Sequence, residues 1–297
     1  MGEMTLRKAL DEYKNIYMPY RNFAERTRVE YLNDLQDLTA FLAKAGIHLV
    51  NDLGLPIIER YVAHLEQMEF ADSTRKRKVV VIRSFLSFLY QDGHITTNIA
   101  KRIVLPFTES SVPHILTQTE CDQLRKACAN SVRDRAIIEL LLQTGIKLSE
   151  ITHLALNDVQ LANPNETRET RIGFIRIASG GNGDRIIPLN TKASLALSNY
   201  LDIKKDVENS ILFLNRFGEP LGDRGVQKML SKYLKRACIE RASIHTLRHT
   251  FGVQHLAKGT SLKTIQGVMG LKDVRSTLVY QLLANEVVTR EMQNNAL

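Results

Sequence analysis

The chain has 297 residues, 44% hydrophobic and 24% charged, and its 40 Lys and Arg against 32 Asp and Glu leave a net charge of +8. That is globular composition, long enough for one large or two medium domains, and it excludes disordered and fibrous classes. With no run of 18 apolar residues and no apolar signal region in the opening MGEMTLRKALDEYK, a cytoplasmic protein without a membrane span is expected.

Residues 1–106 read as a small helical bundle. After the stretch Leu6–Tyr17, the capping-box pattern Thr27-Arg28-Val29-Glu30 predicts a helix carrying Tyr31, Leu35, Leu38 and Leu42 inward, stopped by Gly46. A second helix runs through Ile58, Tyr61, Val62 and Leu65. A third follows Asp72-Ser73-Thr74, with Val79, Ile82, Leu86 and Leu89 inward and Gly93 at its end. Periodicity is lost over 107–116 (FTESSVPHIL), the expected linker.

A larger domain is expected over 117–297. Thr117-Gln118-Thr119-Glu120 is another capping box, and Arg133–Thr144 reads as a helix ended by Gly145, with Ser149-Glu150 opening the next. The β-rich stretches Ile172–Ile177 and Arg185–Leu189, joined by Gly180-Gly181-Asn182-Gly183, predict a hairpin. Helices resume at Lys192–Leu201. The fold class is therefore mainly α with a small β-hairpin in the second domain. Cys121, Cys128 and Cys238 show no CxxC or Cys/His ligand spacing, so neither a disulfide scaffold nor a zinc site is expected.

The charge is unevenly placed. Residues 222–297 hold 12 basic against 5 acidic residues, while the first 116 are close to neutral. A focused basic excess suits a polyanion partner, although solubility explains such a charge equally well. Beside the apolar stripe Val226, Met229, Leu230, Tyr233, Leu234 and Ala237, Lys228, Lys232 and Lys235 recur at i, i+4 and i+7. Such a row can track phosphates, or simply be a solvated face. Arg75, Lys76, Arg77 and Lys78 with Arg83 pose the same choice in the first domain. Two such rows, one per domain, would fit a clamp around a duplex.

The most specific stretch is His245-Thr-Leu-Arg248-His249-Thr-Phe-Gly252, with Tyr280 following 32 residues after Arg248. On a helix, His245 and Arg248 at i and i+3 share a face and could donate to one phosphate. A lone HxxR is more often a helix-surface pair. A tyrosine nucleophile, with a pKa near 10, needs phosphate-bound cations to make its attack productive.

The stretch HTLRHTFGVQHLAKGTSLKTIQGVMGLKDVRSTLVYQLL resembles the C-terminal signature of tyrosine recombinases, the phage integrase family that includes the Xer proteins. RDRAIIELLLQTGIKLSEITHLALNDV is similar to the segment that opens the family's active site, RIGFIRIASGGNGDRIIPL to its β-hairpin, and residues 1–106 to its helical core-binding (SAM-like) domain. The resemblance implies two domains forming a C-shaped clamp on double-stranded DNA. It also implies a tyrosine that cuts through a 3′-phosphotyrosyl link, which needs neither metal nor cofactor. It puts Tyr280 at the nucleophile and His245 and Arg248 at the phosphate contacts. A final segment, Glu286–Leu297 with Val287, Val288 and Met292, would dock on its own domain or on another copy, giving a homo-oligomer on DNA.

Three positions depart from the family pattern. Lys147 stands at the first arginine, keeping charge but losing the bidentate grip. Gly180 falls on the hairpin lysine that protonates the leaving 5′-oxygen, and no lysine occurs from 148 to 191. Leu271 replaces the histidine before the tyrosine. Lys272, Arg185 and Arg176 are the cations that could stand in. The expectation is a sequence-specific DNA-binding protein, non-cutting or strongly impaired, acting as a repressor or accessory factor of a phage or mobile element. The alternative is a working recombinase cutting through Tyr280. A helical protein–protein module would leave the hairpin and HxxR unexplained.

Overall fold

A computed structural model describes residues 3–106, 112–162, 173–178, 183–204, 210–271 and 274–294. The chain divides into two compact units, Met1–Ser111 and Val112–Leu297. Among the described residues no helix is long and apolar enough to cross a membrane.

In the first unit the Thr5 hydroxyl accepts the Lys8 N–H and opens α1 (Leu6–Glu12). A π-helical turn, Tyr13–Tyr17, then leads into the short α2 (Met18–Tyr20). The turn brings Tyr13 into the core, edge-on to Phe85 and 2.7 Å from Ser84 Oγ. The bundle is completed by α3 (Glu25–Lys44), α4 (Leu55–Gln67) and α5 (Asp72–Gln91). Their inward positions, such as Leu35, Leu38 and Leu42 or Val79, Ile82, Leu86 and Leu89, are buried at the three- and four-residue spacing of a helix face.

The expected capping box at Thr27 does not start α3. Thr27 lies inside the helix, and Glu30 pairs with Arg26 a turn earlier. The Arg28 N–H reaches the Ala24 carbonyl and its Nε donates to the Phe23 carbonyl at 2.7 Å. Thr27 therefore already lies within the helix's first closed turn, Ala24 to Arg28.

The second unit's core begins early. Leu116 is fully buried and its N–H donates to Thr250 Oγ1 at 2.8 Å, so the far end of the 107–116 stretch packs with this unit. The Thr117–Glu120 capping box opens α6 (Gln118–Ala127). Next come α7 (Val132–Thr144) and α8 (Leu148–Thr152), separated by Gly145 in the left-handed region at φ +60. A Cβ at Gly145 would fall on the Phe251 ring, so both conformation and space demand glycine there.

The sheet is antiparallel with order β1 (Val159–Gln160), β2 (Gly173–Ile177), β3 (Arg185–Leu189). Ile175 pairs with Ile187 and Ile177 with Arg185. Ile175, Ile177, Ile187 and Leu189 enter the core, as the period of two requires. The joining glycines Gly180 and Gly181 lie outside the described residues, as does Lys272.

Helices α9 (Thr191–Ile203), α10 (Asp223–Arg236), α11 (Ile244–Ala257), α12 (Leu262–Met269) and α13 (Val274–Asn294) complete the unit. The main core takes the apolar stripe of α10. A smaller core gathers Phe251, Val253, Ile265, Met269, Tyr280, Leu283 and Ala284 from α11, α12 and α13. The stretch from Glu286 continues α13 rather than starting a new element, and Val287 packs against the smaller core. Cys121 and Cys128 are buried, Cys238 is exposed, and all three are free.

Candidate active site

Ser243, two residues before His245, caps α11 reciprocally with Thr246 and fixes the helix start at Ile244. His245, Arg248 and His249 then follow at i, i+3 and i+4 on one face. His245 is exposed, Arg248 buried and His249 half-buried. Tyr280 reaches this face from α13: it is 4% exposed, and its hydroxyl lies 2.8 Å from His249 Nδ1. Gly252 faces the same ring: a Cβ there would stand 3.1 Å from Met269 Sδ and in ordinary contact with the Tyr280 ring at 3.4 Å.

Arg248 spends its guanidinium on backbone. One terminal nitrogen donates to the Gly145 carbonyl after α7, the other to the Met269 carbonyl ending α12. These are carbonyls a helix leaves without intrahelical partners, at the negative end of its dipole. Burial lowers the Arg248 pKa, opposed by the charges of Glu150 and Tyr280. Burial raises the Tyr280 phenol, and Arg248 pulls it partly back. Burial, then the charges of His245 and Arg248, push His249 below its usual value, which favours the neutral imidazole.

Lys147 is the N-cap of α8 and half exposed. Its N–H donates to Glu150 Oε2 at 2.7 Å, and its ammonium stands 3.7 Å from Glu150 Oε1. The same carboxylate receives Arg185 from β3 at 2.6 Å. Burial alone raises Glu150. The Arg185 hydrogen bond, the Lys147 N–H and both positive charges outweigh it and hold the carboxyl below its usual range. Arg185 also donates through Nε to the Val268 carbonyl at 2.8 Å. Of the other candidates, Leu271 packs against the smaller core, and Arg176 bonds Asp158 at 3.1 and 3.2 Å through a half-exposed side chain. Gly180 falls outside the described residues.

The two basic rows fare differently. Lys228, Lys232 and Lys235 are exposed along α10, away from its buried stripe, with Lys232 Nζ 5.1 Å from the Tyr233 ring centre. In α5 the row is not a free one. Arg75 pairs with Asp72 at 2.6 Å and Glu66 at 3.0 Å, Arg77 with Asp34, and buried Lys78 with Asp34 and Asp37. Asp34 and Asp37 project from α3, so these cations join two helices, which a one-dimensional row of charges does not reveal. Lys76 is exposed and Arg83 half-buried.

Sequence reasoning passed over His249 and gave Glu150 only a helix-start role. A signal for His249 existed: two histidines four apart flanking Arg248 on one helix face. Glu150 had none, because its partner Arg185 is 35 residues away.

Comparison with known proteins completes the picture. Residues 114–286 match the model of the phage integrase family, and residues 10–93 that of the phage integrase N-terminal SAM-like domain. The chain belongs to the tyrosine recombinase, or phage integrase, family.

Relatives within that family include tyrosine recombinase XerC of Pelotomaculum thermopropionicum, 32% identical over 286 residues and covering 90% of either chain. Another XerC, from Pelobacter propionicus, is 31% identical over 88% of this chain and 85% of its own. Among solved tyrosine recombinases, XerH bound to palindromic difH in a post-cleavage complex superposes with a TM-score of 0.75 at 17% identity. It covers 95% of this chain and 83% of its own. A lambda integrase dimer on a COC′ core site gives 0.73 at 18% identity, over 94% and 78%. At those identities the likeness is one of fold.

Proposed function

We propose that this chain binds double-stranded DNA sequence-specifically in the manner of its family, with strand cleavage at Tyr280 strongly impaired, and serves as a repressor or accessory factor of a mobile element. The observation that carries this reading is the set of residues standing at the family's cation positions. His245 and Arg248 keep the family's places on α11, but the first-arginine place holds Lys147, a single ammonium facing Glu150. With no lysine between 148 and 191, the leaving 5′-oxygen has no residue of the family's kind to protonate it. Loss of a general acid costs about 10²–10⁴-fold, and loss of a transition-state donor about 10²–10³-fold more, without strict additivity. Lys228, Lys232 and Lys235, with Lys76 and Arg83 of the first unit, supply backbone contacts that hold DNA whether or not it is cut. Arg75 and Arg77 contribute there only through faces left over from their ion pairs. Structural neighbours include dimers and tetramers on DNA. A second copy is proposed here too, with exposed Leu278 and Leu282 of α13 as its contact.

The test starts from a duplex that the protein selects from a random-sequence pool. Nicked suicide versions of it are incubated with the protein and run on a denaturing gel. Slow adduct that vanishes in Tyr280→Phe, and that speeds up at least about 10²-fold when Gly180→Lys and Lys147→Arg are combined, is the expected result. Fast adduct from the unaltered chain, unimproved by those changes, overturns the impaired reading in favour of a working recombinase. The hydrogen bond between His249 and Tyr280 is the observation on that second reading's side.

A further inference from the structure

We infer that His249 is a catalytic residue, the group that takes the phenolic proton of Tyr280 as its oxygen attacks the phosphodiester. This rests on the reading of Tyr280 as the nucleophile, at whatever rate it cuts. The geometry is direct: Nδ1 lies 2.8 Å from the Tyr280 oxygen, with ring centres 5.4 Å apart and planes at 57°. That is within the reach required of a general base. The tyrosine ring lies against α11 one turn past His249, where a Cβ at Gly252 would stand 3.4 Å from it, and its phenol is 4% exposed. Among the described residues, His249 is the group whose contact with the Tyr280 hydroxyl is direct. Arg248 stays protonated and has no lone pair to offer. His245 is exposed on the turn before. Glu150 is occupied by Lys147 and Arg185. Burial beside Arg248 disfavours the charged form of His249, and a neutral imidazole protonated at Nε2 presents its lone pair at Nδ1, the atom that faces the Tyr280 hydroxyl.

The step balances simply. The bond from the Tyr280 oxygen to phosphorus forms while the bond from phosphorus to the 5′-oxygen breaks, and the phenolic proton passes to Nδ1. The departing 5′-oxygen takes a proton from water, because glycine stands at the family's lysine place. The hydroxide left behind is neutralised by the imidazolium. The net result is a phosphotyrosyl link and a 5′-hydroxyl. In rejoining, the proton returns by the same path, so His249 serves both directions.

Two measurements test this. On the protein-selected nicked duplex, His249→Gln, which keeps a hydrogen-bonding amide but cannot take a proton, is expected to slow adduct formation by about 10²–10⁴-fold. DNA affinity should stay within about threefold, and added imidazole should restore adduct to His249→Ala, which a packing role would not allow. In the DNA-free chain with ¹⁵N-labelled histidine, the His249 Nδ1 resonance should be that of an unprotonated acceptor, and it should move in Tyr280→Phe. Unchanged adduct rate in His249→Gln, or an Nδ1 that carries its own proton, overturns the role of His249 alone. No adduct from the unaltered chain, on a duplex it demonstrably binds, overturns the cleavage reading and this role with it.

Discussion

Glu150 shows how one side chain organises the site without being an obvious member of it. Its carboxylate closes the N-terminus of α8 through the Lys147 N–H and receives Arg185 from a strand 35 residues on. Lys147 is therefore aimed by the acid beside it. The exposed Lys147 ammonium adds little to stability, whereas Arg185 and Glu150 are each only 12% exposed. Removing one partner of such a pair leaves a buried charge uncompensated. Glu150→Ala is expected to cost about 3–5 kcal/mol at pH 7 by urea denaturation. Because the folded carboxyl sits below its unfolded pKa, its stabilisation is full above about pH 5 and is lost as pH falls through the folded value. The gap between parent and variant should therefore close in acid. A cost under about 1 kcal/mol at pH 7 would mean that the pair behaves as a surface one.

Between elements, the recurrent device is a cation joining pieces that share no sequence neighbourhood. Arg248 and Arg185 both donate to the last carbonyls of α12, and Arg248 also to Gly145 at the end of α7. Together they tie α11, β3 and the end of α7 to the end of α12. In the first unit Arg77 and Lys78 of α5 tie to Asp34 of α3. Asp34→Ala leaves Lys78, 4% exposed, with Asp37 alone, and should destabilise the chain by about 3 kcal/mol in chemical denaturation. It should do so without changing DNA affinity if those cations are structural. A large loss of affinity with stability intact would instead make them part of the proposed nucleic-acid surface.

At the scale of the whole molecule, the +8 charge divides into cations engaged in pairs and caps within the fold and cations extended along its surface. Arg75, Arg77, Lys78, Arg185 and Arg248 belong to the first kind, and Lys228, Lys232 and Lys235 to the second. Binding to duplex DNA should weaken with salt by about 0.9 log unit of affinity per phosphate contact for each log unit of salt. Replacing the three lysines by alanine should lower that slope by about 2.7, with the fold intact by circular dichroism. A slope unchanged by the triple replacement would remove the α10 face from the proposed interface.

Helices, their glycine stops, the hairpin strands and the family were all legible in the sequence. Each rests on local rules: apolar spacing sets the buried face, glycine supplies a positive φ, and a continuous motif such as HTLRH survives as a string. Even so, the Thr27 capping box was misleading, because the Ala24–Arg28 turn closed first. Charge was the least legible quantity. Arg75-Lys76-Arg77-Lys78 reads as one row, but whether a cation faces solvent or a carboxylate depends on residues some forty positions away on another helix. The same holds for the site. Tyr280 and Arg248 were visible as motif positions, while the meeting of Tyr280 with His249 and of Glu150 with Arg185 required α11, α13, α8 and β3 to pack. The sequence alone thus determined the elements and the family. Tertiary structure alone decided which charges are paired and which side chain the Tyr280 hydroxyl meets, because hydrogen bonds act over about 3 Å and only folding brings those atoms that close.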